Sequence, residues 1–89
     1  MDALARLTAL NVEICNLTGA GKGHATTQAA IDRYMAMLAD RADEVRTAVT
    51  EARADTQRTY GGTSHAFIDG IAAALTRALI ARAKQEPRA

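Results

Sequence analysis

Apolar residues recur along this chain at intervals of three and four, and glycine clusters interrupt them twice. Leu4, Leu7, Leu10, Ile14 and Leu17 fall on one side of a helix of 3.6 residues per turn. Asp2 precedes the run as an N-cap, and Gly19 follows it as a residue able to take positive φ. The pattern predicts a first helix over residues 3–17. A second run, Ile31, Met35, Leu38, Ala42, Val45, Val49, Ala52 and Thr56, alternates spacings of four and three through more than three heptads. It predicts one continuous helix over 27–59, capped by Thr26 or Thr27 and ~50 Å long at 1.5 Å per residue. A third stripe, Phe67, Ile68, Ile71, Leu75, Ala78 and Leu79, predicts a helix over 64–84, with Thr63 or Ser64 as its cap. Pro87 ends the helical signal, and the tail from about residue 86 is expected to fray. Nothing alternates with the period of a strand.

A heptad seam needs a partner. In a parallel homodimer through the second helix, Arg41 would face Arg46 of the other chain twice, which repels, and Ala42, Ala52 and Thr56 would bury little area. The short Tyr60–Gly61–Gly62–Thr63 connection favours an antiparallel hairpin with the third helix instead. The first helix is then expected to return along the N-terminal part of the second. The predicted fold is all-α: an elongated three-helix bundle built on a long antiparallel hairpin, in one domain spanning 1–89.

Composition explains why such a bundle would seek company. Ala supplies 21 of the 89 residues, whereas Leu, Ile, Val and Phe together supply 16. A formal net charge of +1 argues against disorder, so the chain reads as folded around a thin core. Domains this small often lean on a disulfide, a metal or a second chain. Cys15 is the only cysteine, which excludes an internal disulfide. No four-ligand cysteine or histidine spacing is present, so neither a metal nor another cofactor is expected. Val12 and Ile80 lie on the outer sides of their helices and are candidate interface residues for a homo-oligomer.

Charge and aromatic content narrow the partners. Residues 1–44 carry −2 and residues 45–89 carry +3, too weak a bias for a nucleic-acid surface. Three aromatic residues, Tyr34, Tyr60 and Phe67, make no base-stacking platform. No secretory signal or membrane-spanning run is read from the sequence, which points to the cytoplasm. The excess of Ala and of Arg over Lys suits a GC-rich bacterial or phage coding background, and thus an accessory protein of such a source.

Two loops hold the candidate chemistry. Gly21, Lys22, Gly23 and His24 lead into a helix through Thr26 and Thr27, and free N–H groups at a helix N-terminus attract anions. The segment departs from a P-loop, because Lys22 is followed by Gly23 and a helix rather than a strand precedes it. The second loop, ending in His65, has similar residues, with Tyr60 expected to pack on the end of the bundle. Lys22, Gly23, His24, Thr26, Thr27 and His65 are therefore the candidate ligand-binding residues, joined only if two subunits share the site. The sequence as a whole favours a non-enzymatic helical interaction module, of adaptor or inhibitor type, that self-associates and binds a partner protein. The alternative is a binder of a small anionic, nucleotide-like ligand at helix N-termini between subunits. No catalytic residue is expected.

Overall fold

The helices begin and end where local chemistry allows. The computed structural model describes residues 2–20, 27–61 and 65–85. Helix α1 spans Ala3–Thr18, and Asp2 caps it by accepting from the Ala5 N–H at 2.7 Å. Gly19, at φ 79°, closes it by donating its N–H to the Cys15 carbonyl at 2.9 Å. That left-handed conformation strains any residue with a side chain. Helix α2 spans Gln28–Asp40, and the Thr27 hydroxyl accepts from the Ala30 N–H at 3.1 Å. Helix α3 spans Ala42–Tyr60 and ends on Gly61, at φ 85°. Helix α4 spans Ala66–Gln85. The expected caps Thr26, Thr63 and Ser64, together with Pro87 and the tail from 86, lie outside the described residues.

The predicted helix over 27–59 is two helices, so the described chain has four helices rather than three. Arg41, at φ −109° and ψ 30°, stands between them. Its N–H ends α2 by donating to Met37 O at 3.0 Å, and its carbonyl starts α3 by accepting from Val45 N–H at 2.9 Å. Its guanidinium grips Glu13 of α1 at 2.8 Å and Glu44 of α3 at 2.9 Å. Those two carboxylates hold the Arg41 proton even above the usual arginine range, Glu13 contributing most. An arginine at the start of α3 opposes the helix dipole, and Asp43 and Glu44 in its first turn offset this.

The bend also corrects the expected shape. The molecule measures 43 × 37 × 20 Å, a broad slab two helix diameters thick rather than an elongated rod. Helix α1 runs antiparallel to the broken rod and packs most extensively on α3, not chiefly on the N-terminal part of the rod as expected. Helix α4 returns antiparallel on the other side, resting on both α2 and α3. Ion pairs mark the registers: Arg6 with Glu51, Arg53 with Asp69, and Arg82 with Asp40. Exposed pairs of this kind contribute about 0.2–1 kcal/mol each, so they fix alignment more than stability.

Burial of small apolar residues holds the slab together. Leu7, Ile14, Leu38, Val45 and Ile68 are the largest fully enclosed side chains. Ala3, Ala39, Ala52, Ala74 and Ala78 fill positions between them. Leu17 departs from its predicted stripe, being 64% exposed. Its neighbours Ile14 and Thr18 are buried and the Arg33 guanidinium donates to the Thr18 carbonyl at 3.1 Å, so the last turn of α1 is packed and Leu17 lies on its outer side. Ile31 is also more exposed than its heptad position predicts, and Tyr60, 73% exposed, does not pack on the bundle end.

Candidate functional site

The broken rod shapes a cleft between α2 and α4 of about 650 Å³. Its floor is apolar: Ile31 and Met35 from α2 lie beside the nearly buried Ala39 and Ala78. Ala36 and Ala81 are exposed on its two walls, and the Arg82 side chain reaches across from α4 to the Ala36 carbonyl and Asp40 of α2. Gln28 and Gln85 close one end. This is where α2 begins and α4 finishes, as their antiparallel packing requires.

The polar groups of the rim differ in how they are satisfied. Arg82 pairs with Asp40 and donates to the Ala36 carbonyl at 3.2 Å, so its charge is matched within the chain. Asp32 accepts from the Gln28 amide at 2.9 Å and has no cationic partner among the described residues. Arg77 is exposed and has no hydrogen bond or ion pair among them. One acid and one base in the same cleft, on opposite walls, thus have no charge partner among the described residues.

The loops singled out from sequence are placed differently. Lys22, Gly23, His24 and Thr26 lie outside the described residues. Thr27 is engaged as the cap of α2. His65 precedes α4, its carbonyl accepts from the Asp69 N–H at 2.9 Å, and its Nδ1 is enclosed without a hydrogen-bond partner. Thr27 adjoins the cleft end formed by Gln28 and Gln85, while His65 lies at the far end of α4, ~30 Å away by helix rise. Within one chain the two do not share a site. Val12 and Ile80 are exposed, at 50% and 52%. The cleft was missed from sequence because its walls belong to helices whose docking the heptad pattern does not specify. Its signal was the Ile31–Met35 edge beside Asp32.

Behind the cleft, Tyr34 of α2 donates to the Asn11 side chain of α1. Burial pushes both the Tyr34 phenol and the Cys15 thiol up, and negative charge on Cys15 adds to the shift of Tyr34. Cys15 thus stays protonated at neutral pH, where a thiol is a weak nucleophile. Tyr34 also makes folding sensitive to alkali. Above its ordinary value of 10.0 the unfolded phenol loses its proton first, so stability falls as pH rises from there toward the higher folded value. Denaturation midpoints measured across that alkaline range should decline for the wild type. Tyr34→Phe should decline less steeply; an identical slope would show that the phenol is not protected.

Among the described residues no cluster of three or more His, Cys, Asp or Glu side chains is arranged to hold a metal. No described helix is long and apolar enough to cross a membrane. No protein-family model, curated protein or solved structure matches this chain.

Proposed function

We propose that this chain is a single-domain, non-enzymatic interaction protein of the cytoplasm that self-associates and presents helical surfaces to other proteins. The observation that carries this reading is the α2–α4 cleft. It is open, floored by Ile31 and Met35, and its rim includes Asp32 and Arg77, neither of which has a charge partner among the described residues. Isolated apolar residues on a surface are ordinary, but an apolar floor inside a charged rim is the anatomy of an association site. A core of few large side chains adds to the argument, because a second chain would contribute the apolar burial that this one lacks. The alternative is an anionic ligand shared between subunits; of its residues, Thr27 caps α2 and His65 lies at the other end of α4, so only a second chain could bring the two loops together.

Sedimentation velocity across a concentration series tests self-association directly. The weight-average sedimentation coefficient should rise with concentration through the micromolar range. A strict monomer throughout would remove the reading.

A further inference from the structure

The break at Arg41 is unlike an ordinary helix end. Between Thr27 and Tyr60 the sequence contains no glycine and no proline. A single residue, at φ −109° and ψ 30°, joins α2 to α3. Among the described residues, the N–H groups of Ala42, Asp43 and Glu44 make no backbone hydrogen bond to the carbonyls of Leu38, Ala39 and Asp40. A helical backbone at Arg41 would form those three bonds. The heptad phase already suits it, since Leu38 and Val45 occupy equivalent positions on either side. Residues 28–60 are thus able to form one helix.

Such a helix is incompatible with the packing within one chain. Helix α1 packs most on α3, and α2 most on α4, so the main interfaces join one side of Arg41 to the other. The pairs Arg6–Glu51 and Arg82–Asp40 also cross it. Straightening would carry α3 and α4 away from α1 and α2 and open those interfaces. A second straightened chain offers the same halves and closes them again. We propose that the chain dimerises by exchanging halves: α2 and α3 run on as one helix through Arg41, and α3 with α4 of each subunit packs on α1 with α2 of the other.

Each lobe of that dimer repeats the contacts of the bent chain, and the backbone bonds at the hinge are the gain. A connection this short invites exchange. Exchange is also a low-cost route to a dimer, because no new surface has to become complementary. The inference rests on the self-association proposed above and supplies its means.

Two experiments test it. Asp40→Arg and Arg82→Asp each leave a like-charged pair between α2 and α4, in a monomer and in any dimer of unexchanged chains. In an exchanged dimer holding one of each, both lobes regain an opposite pair. The two variants, unfolded together and refolded, should therefore pair with each other. Native mass spectrometry should find about four-fifths or more of the dimer mixed, against about half for random pairing. The second experiment compares Arg41→Ala with Arg41→Gly. Both remove the side chain, but alanine favours a continuous helix and glycine opposes it. Sedimentation equilibrium should show R41A dimerising about tenfold more tightly than R41G, with circular dichroism confirming that all four variants fold. Random pairing of D40R with R82D, or equal dimerisation of R41A and R41G, would overturn the exchange while leaving self-association standing. A wild-type protein that is monomeric at every concentration would overturn both.

Discussion

Leu38→Ala is expected to lower the stability of the fold by about 3 kcal/mol. Leu38 is 1% exposed and shares a small internal space with Leu7, Ile14, Val45 and Ile71. These residues come from all four helices, so the cavity left by truncation would sit where every layer meets. Relaxation would have to move several helices at once, so the cost falls within the usual range for a buried Leu→Ala change, about 2–5 kcal/mol. A domain of this size is held by roughly 5–10 kcal/mol in total, so the loss would approach half of it. Denaturant unfolding followed by circular dichroism should show a large fall in midpoint with little change in slope. A loss below about 1 kcal/mol would mean that the centre of the slab is far looser than the enclosure of Leu38 implies.

Ala52→Leu should be nearly as damaging, for the opposite reason. Ala52 is 0% exposed, in the same apolar cluster as Ala3, Leu7 and Ile68. Adding three carbons there would force α3 away from its neighbours, at about 3 kcal/mol. Ala73→Leu is the matched control, because Ala73 lies on the exposed side of α4. It should stay within about 0.5 kcal/mol of wild type. Thermal or chemical unfolding of the two variants side by side measures the difference. Equal effects would show that alanine here is compositional filler; a large gap would show that it sets how closely the helices approach.

Much of the fold was legible in the sequence, and the misses share a cause. The caps of α1 and the extent of α4 followed from local patterns: a short polar cap, a glycine, a stripe of spacing three and four. The break at Arg41 did not. Leu38 and Val45 lie seven residues apart on either side of it and are both buried, so the heptad phase runs through the bend unaltered. Arg41 pairs there with Glu13, twenty-eight residues earlier, and a periodicity within one helix carries no record of such a partner. Of the candidate binding residues, only Thr27 and His65 fall within the described segments, and the cleft that now carries the argument was not foreseen. A cleft is a relation between helices, whereas sequence periodicity reports on one helix at a time.

The order in which the helices pair has its own consequence for how such a chain reaches its native state. Helix α1 packs most on α3, and α2 most on α4, so each principal pair is interrupted by a member of the other. Neither half of the sequence contains a complete principal pair. During synthesis, α1 and α2 would emerge with their main partners still unmade, and burial could be completed only once α4 is available. The interleaving makes acquisition of structure an event of the whole chain, with no stable half to fall back on.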